Sequence, residues 1–157
     1  MGTILIAGSR SIVGQAFYDI MYDFVGKFSK DTIIVSGMAD GTDLYAHHAA
    51  VAHGLFVKEF PIDDEEWKRF GKRAGYVRNF TMGAYISITG GEAFLFVNNG
   101  VMTAGTGMMK SVCKTFNIPY TTIYVALDED VLSRRVSNWR RERDSGDNRQ
   151  IGSSSDQ

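Results

Sequence analysis

Five short apolar runs alternate with segments of helical spacing through most of the chain, and this alternation constrains the fold more than any other feature. The runs are rich in β-branched and aromatic residues, which predicts strands over residues 3–7, 32–36, 55–60, 93–97 and 121–127. Apolar residues recur at the spacing of one helix face over residues 13–28, 44–53, 75–87 and 106–116. Strands that are apolar on both faces and separated by helices indicate a parallel sheet covered on both sides. We therefore expect an α/β fold, a single three-layer domain with a mainly parallel five-stranded sheet.

The length of the chain fits one such domain. Its 157 residues are 44% hydrophobic, which is enough for one sizeable core. We assign residues 1–127 to the α/β domain. Residues 128–144 are polar with a sparse apolar stripe and are predicted to form a C-terminal helix packed on that domain. Residues 145–157 offer little to bury and are predicted to be a flexible tail.

Charge and cysteine content exclude several classes of function. Lys and Arg total 17 while Asp and Glu total 18, giving a net charge of -1, so we do not expect nucleic acid as a partner. Cys113 is the single cysteine, which rules out an intramolecular disulfide and a cysteine-rich metal site. His47 and His48 are adjacent and would point about 100° apart on a helix, so they do not form a metal pair. No metal or cofactor is predicted.

The sequence carries no signal for a membrane. No apolar run approaches the roughly 20 residues that span a bilayer, and no charged segment followed by a hydrophobic one marks a signal peptide. We therefore expect a cytoplasmic protein without a membrane partner.

Three loops of small residues follow strands at what should be the carboxyl edge of the sheet. Their sequences are AGSRS over residues 7–11, SGMADGTD over 36–43 and VNNGVMTAGTGM over 97–108. Open parallel sheets bind ligands at this edge, and each loop ends at a predicted helix start, where free amides favour an anion. The G-x-G-x-x-G pattern is absent, and GTGMMKS lacks the Gly before Lys that a Walker A motif requires. The loops therefore predict an anion site outside the standard NAD and ATP domains.

A set of ordered motifs over residues 3–125 resembles the SLOG superfamily, most closely its small stand-alone YspA-like proteins. The motifs are GSR, VSGMADGTDLYAHHAA, FP followed by W, FGKRAGYVRNFTMG and AGTGMM. The superfamily also contains the LOG nucleotide phosphoribohydrolases and the DNA-processing protein DprA. The resemblance implies that residues 1–127 form a Rossmann-like, SLOG-type domain that binds a nucleotide or nucleotide-derived small molecule. It also implies homo-oligomers, either dimers or larger.

Individual motifs place this chain between the branches of the superfamily. GMADGTDLYAHHAA is similar to the Gly-rich turn and following helix of DprA, while YVRNFTM and GTGMM occupy the places of the Arg-Lys and Gly-Thr-x-x-Glu motifs of LOG. The Glu that closes the LOG motif serves hydrolysis of the N-glycosidic bond, and here Met109 takes its place. A thioether cannot transfer a proton, so LOG-like catalysis would need another acid.

The predicted ligand-binding residues come from the three loops and from the segment that matches the LOG arginine. They are Gly8, Ser9, Arg10, Ser36, Gly37, Asp40, Gly41, Thr42, Asp43, Arg78, Asn79, Gly105 and Thr106. The planar fork of Arg78 suits a phosphate or carboxylate. Asp43 is the candidate catalytic acid, and it could instead cap the following helix or bind a ribose hydroxyl.

Residues 61–79 mix acids, bases and aromatic residues without apolar periodicity. They are interpreted either as a solvated connector or as a lid. In a lid, Trp67, Phe70 or Tyr76 would stack on a base.

Two functions from different classes follow from these observations. The first is a sensor or sequestering protein that binds a nucleotide-derived small molecule, which the replacement of the LOG glutamate favours. The second is a nucleotide N-glycoside hydrolase or transferase of LOG-like type that uses Asp43. Binding of single-stranded DNA, as in DprA, is a third reading that the net charge weakens.

Overall fold

The computed structural model describes residues 2–127 together with the backbone of residues 137–143 and 150–155. The elements are β1 (Thr3–Gly8), α1 (Gln15–Val25), β2 (Ile33–Ser36), α2 (Thr42–Ala52), β3 (Phe56–Glu59), α3 (Asp64–Phe70), α4 (Arg73–Thr89), β4 (Glu92–Asn98), α5 (Ala104–Thr115), β5 (Tyr120–Ala126), β6 (Ser137–Arg143) and β7 (Gln150–Ser155). Within this part of the chain, no helix is both long and apolar enough to cross a membrane.

The strands form one sheet in the order β3-β2-β1-β4-β5-β6-β7. The first five strands in this order are parallel to one another, which confirms the predicted α/β fold and parallel five-stranded sheet. From β1 the chain moves outwards to β2 and β3, and then returns to place β4 on the other side of β1. The crevice at the carboxyl ends of β1 and β4 is therefore the switch point of the sheet, where ligands bind in folds of this type.

Alternation along the buried strands supplies both faces of the sheet, so the three-layer architecture follows from the sequence. Ile4 and Ile6 of β1 belong to the cluster that contains α1 and α2 side chains such as Phe17. Leu5 belongs to the opposite cluster, with α4 and α5 side chains such as Met82. Each fully buried side chain of this size contributes about 1.5–3 kcal/mol through removal from water. Two separate cores therefore hold the strand ends at the switch point in fixed positions.

The C-terminal segment differs from its prediction. A helix was expected over residues 128–144, but Ser137–Arg143 forms the strand β6, paired antiparallel with β5. Residues 128–136 and 144 lie outside the described residues. The tail predicted to be flexible contributes the strand β7 over Gln150–Ser155, paired with β6. The physical reason is the edge of β5, whose free amides and carbonyls bond to an added strand; helical spacing in the sequence gives no information about such an edge.

A helix that periodicity did not predict lies between β3 and α4. The side chain of Asp63 accepts a hydrogen bond from the Glu66 amide at 2.8 Å, and the Asp63 amide donates to Glu66 Oε1 at 3.1 Å. This reciprocal capping box starts α3. The segment 61–79 contains α3, none of whose residues is buried, and the first turns of α4. The D-x-x-E spacing was the available signal for it.

Candidate functional site

A cavity of about 320 Å³ lies where β1 and β4 end, and we call it the switch-point cavity. Its walls are formed by Ala7, Gly8, Ser9, Arg10, Ser11, Ala39, Asp43, Arg78, Asn79, Met82, Thr103, Gly105, Thr106 and Met109. The structure therefore brings together eight of the predicted ligand-binding residues, which are Gly8, Ser9, Arg10, Asp43, Arg78, Asn79, Gly105 and Thr106. The unpredicted Ser11 and Thr103 lie in the same loops, so their position in the sequence was the signal that could have found them.

A second cavity of about 180 Å³ adjoins the first, and we call it the side cavity. It is lined by Arg10, Gly37, Met38, Ala39, Asp40, Ile62, Trp67 and Arg78. Arg10, Ala39 and Arg78 line both cavities, so they form the boundary between them. The predicted residues Gly37 and Asp40 thus belong to the side cavity.

Three predicted residues line neither cavity and instead support the loops. Ser36 donates its hydroxyl to the Asp43 carbonyl at 3.0 Å and accepts from the Met38 amide at 3.1 Å. Thr42 donates both its amide and its hydroxyl to the Ser9 carbonyl, at 3.2 and 2.9 Å. A Cβ on Gly41 would lie 2.4 Å from the carbonyl oxygen of Arg10. These residues fix the relative position of the first two loops.

The absence of a side chain has a different physical consequence at Gly37 than at Gly105. A Cβ on Gly37 would come within 2.7 Å of Arg78 Nη1 and 2.8 Å of Asp43 Oδ2, so Gly37 lets these two charged groups approach its backbone. A Cβ on Gly105 would meet no heavy atom within 4 Å. Among the glycines of the predicted set that line the switch-point cavity, Gly105 is the one whose missing side chain leaves open space, because Gly8 is pressed against β4.

The helix starts do not all converge as the sequence suggested. Helix α1 begins only at Gln15 and its capping residue Gly14 lies at another cavity. The first amide of α2, that of Thr42, is already bonded to the Ser9 carbonyl. At α5 the N-cap Thr103 makes no side-chain cap and lines the switch-point cavity together with Gly105 and Thr106. The N-terminus of α5 is therefore the predicted helix start that opens onto this cavity, and free amides at a helix start favour an anion.

Asp43 is a buried carboxyl in the wall of the switch-point cavity, with 5% of its surface exposed. Burial raises the pKa of Asp43 to about 6, although attraction to Arg78, a hydrogen bond from the Ala39 amide at 3.3 Å and attraction to Arg10 all act to lower it. The N-cap of α2 is Gly41, so the capping role considered for Asp43 is wrong. A carboxyl that titrates near neutral pH can hold or release a proton under physiological conditions.

Arg78 is held between the two cavities by main-chain and side-chain oxygens. Its Nη1 donates to the Gly37 carbonyl at 2.5 Å and to the Phe60 carbonyl at 3.5 Å, and its Nε donates to Asn79 Oδ1 at 3.0 Å. Burial lowers the pKa of Arg78, with Asp43 acting in the opposite direction. The guanidinium is thus positioned before any ligand arrives, which reduces the entropy lost on binding.

The floor of the switch-point cavity is apolar. Met82 and Met109 both line it and are each 1% exposed, and both belong to the core cluster on the α4 and α5 side of the sheet. Met109 is therefore a core packing residue that also lines the cavity. Asn79 Nδ2 donates to Met108 Sδ at 3.7 Å, which fixes the amide at the edge of this floor.

One further cavity, of about 480 Å³, lies between α1 and α2 and contains none of the predicted site residues. It is lined by Gly14, Gln15, Tyr18, Tyr45 and His48. In the described part of the chain, no group of three or more His, Cys, Asp or Glu side chains is placed to hold a metal ion.

No family model matches the sequence, and no curated protein matches it either. Among solved structures, the chain is similar to DNA processing protein A (DprA) from Streptococcus pneumoniae, with a TM-score of 0.58 and 17% sequence identity. The match covers 76% of this chain and 49% of that chain, so this chain spans about half the length of that neighbour. The likeness lies in the fold, and it establishes the domain as a Rossmann-like α/β fold.

Proposed function

We propose that this protein binds a nucleotide or nucleotide-derived small molecule in the switch-point cavity, as a sensor or sequestering protein. The observation that carries the proposal is the position of the uncapped N-terminus of α5 in the same cavity wall as Arg10 and Arg78. This arrangement offers main-chain amides and two guanidinium groups to one anion. Because the protein has no net positive charge, the affinity for an anion has to come from this local geometry.

The remainder of the cavity suits the rest of a nucleotide. The apolar floor of Met82 and Met109 can contact a sugar face, and the Asp43 carboxylate can accept a hydrogen bond from a ribose hydroxyl. The volume of about 320 Å³ is at the lower end of ligand pockets, which run from about 300 to 1,000 Å³. This volume suits the sugar and phosphate of one nucleotide better than a dinucleotide.

The test is a pair of matched glycine substitutions. Gly105→Val places a branched side chain in the open space before the α5 amides, and we expect loss of binding with the fold retained. Gly75→Val is the control, because Gly75 also has no atom within 4 Å of its Cβ position and lies in the first turn of α4 away from both cavities.

Calorimetric titration with AMP, GMP, CMP and UMP measures the outcome, after mass spectrometry of any nucleotide that co-purifies. If Gly105→Val and Gly75→Val bind with equal affinity, the anion does not lie at the α5 amides. Because the structural neighbour is a DNA processing protein, an oligo-dT strand belongs in the same titration. If oligo-dT binds and none of the four mononucleotides does, single-stranded DNA binding replaces the small-molecule proposal.

A second candidate, N-glycoside hydrolysis or transfer, is favoured by the state of Asp43. A carboxyl whose pKa is about 6 can donate a proton to a departing base while water or another acceptor takes the sugar carbon. Incubation with each nucleotide followed by chromatography for the free base tests this activity. Release of base that Asp43→Asn abolishes would assign the enzyme; recovery of intact nucleotide supports the binding protein.

A further inference from the structure

Trp67 is an aromatic side chain that serves neither core of the protein. It lies on α3, a helix of seven residues none of which is buried, and 41% of its surface is exposed. The capping box at Asp63 and Glu66 stabilises this helix locally. Since packing does not require a tryptophan here, its position has to be explained by what lies beside it.

The side cavity lies beside it. Trp67 is the aromatic residue of the side-cavity wall, which also contains apolar side chains such as Ile62 and the carboxyl of Asp40. Arg10 and Arg78 lie at the boundary with the switch-point cavity. An aromatic face next to a cationic boundary suits a planar ring joined to an anionic group, because the ring stacks while the charge meets the guanidinium groups. Stacking of this kind accepts any nucleobase, since every base has a π face.

We propose that Trp67 is the stacking platform for the base of the bound nucleotide, so that one ligand occupies both cavities. Its phosphate lies between the α5 amides and the guanidinium groups of Arg10 and Arg78, its sugar crosses the boundary between the cavities, and its base lies on Trp67 in the side cavity. This inference rests on the proposed function and adds to it the ligand class: a mononucleotide recognised through an intact base as well as its phosphate. Ribose 5-phosphate then fills only the switch-point cavity.

The fluorescence of Trp67 reports directly on this contact. The chain has two tryptophans, and Trp139→Phe leaves Trp67 as the single tryptophan, which can be excited selectively over the tyrosines. We expect the tightest-binding of AMP, GMP, CMP and UMP to quench this emission at saturation, while ribose 5-phosphate binds without quenching. The measurement uses the full chain and leaves the proposed platform itself unchanged.

Substitution of the platform gives an independent measure. Trp67→Ala should weaken the nucleotide by about tenfold or more, the size of one lost base–aromatic stack, and should leave the affinity for ribose 5-phosphate unchanged. Trp67→Phe should restore most of the lost affinity. Tyr76→Ala is the matched control, because Tyr76 is an aromatic residue 53% exposed on the neighbouring helix α4 and lines neither cavity.

The outcomes separate this inference from the proposed function. Nucleotide binding without quenching, at an affinity that Trp67→Ala does not change, overturns the stacking platform and leaves nucleotide binding in place. An equal loss for nucleotide and ribose 5-phosphate would show that Trp67 only supports the loops, which also overturns it. If neither ligand binds the unmodified protein, both the inference and the proposed function fail.

Discussion

The titration of Asp43 should be visible in the stability of the protein. Asp43 is 5% exposed, and burial raises its pKa from the ordinary 3.8 to about 6. Because the folded-state pKa is the higher one, the folded chain binds this proton more tightly than the unfolded chain, and the stability from this group falls as pH rises from about 4 to 6. At about 1.4 kcal/mol for each pH unit between the two values, the ionised carboxyl costs about 3 kcal/mol at neutral pH.

Asp43→Asn removes this titration and keeps a side-chain oxygen for the Ala39 amide. We expect the free energy of unfolding of the variant, relative to the unmodified protein, to fall by about 2 kcal/mol between pH 7.5 and pH 4.5. Urea denaturation at both pH values measures the two differences, with Asp40→Asn, an exposed carboxyl of the same loop, as the matched control. A difference that stays constant, or that grows as the pH falls, would refute the assignment of a raised pKa to Asp43.

Three further predictions concern the loops, the arginine and self-association. Gly41→Ala should lower the free energy of unfolding by at least about 2 kcal/mol in urea denaturation, because Gly41 has φ +74° and its Cβ would meet the Arg10 carbonyl; an unchanged midpoint would contradict this. Arg78→Lys should weaken a nucleotide about tenfold more than its nucleoside in calorimetry, because lysine cannot keep the contacts to Gly37 and Asn79 and also donate to the phosphate; equal losses would place the phosphate elsewhere. We also expect homo-oligomers, favoured by exposed apolar side chains such as Phe80 and Ile88, and sedimentation at the mass of one chain at every concentration would exclude them.

The parallel sheet could be predicted because each buried strand carries its own signal. Runs such as residues 93–97 are apolar at every position and rich in aromatic and β-branched residues, which is typical of a strand covered on both faces. The strand β6 could not be predicted in the same way, since its pairing depends on the open edge of β5 and not on the spacing within residues 137–143.

The loops that form the candidate site could be predicted from the sequence, but the hydrogen bonds of individual amides and side chains could not. The carboxyl ends of β1 and β4 had to meet once the strand order was set, so Ser9 and Gly105 follow from topology. The hydrogen bonding of the α2 amides could not be predicted from topology, because the Thr42 amide donates to the Ser9 carbonyl, which is 33 residues away in the sequence. The position of Arg78 likewise depends on main-chain carbonyls that no local pattern reveals.

Two hydrogen bonds from Thr42 to the Ser9 carbonyl join the loop after β1 to the start of α2. A ligand that displaces Ser9 also displaces the first residue of α2, and Asp43 is the next residue along that helix. The position of the Asp43 carboxyl is therefore tied to the main chain of the β1 loop as well as to its own helix.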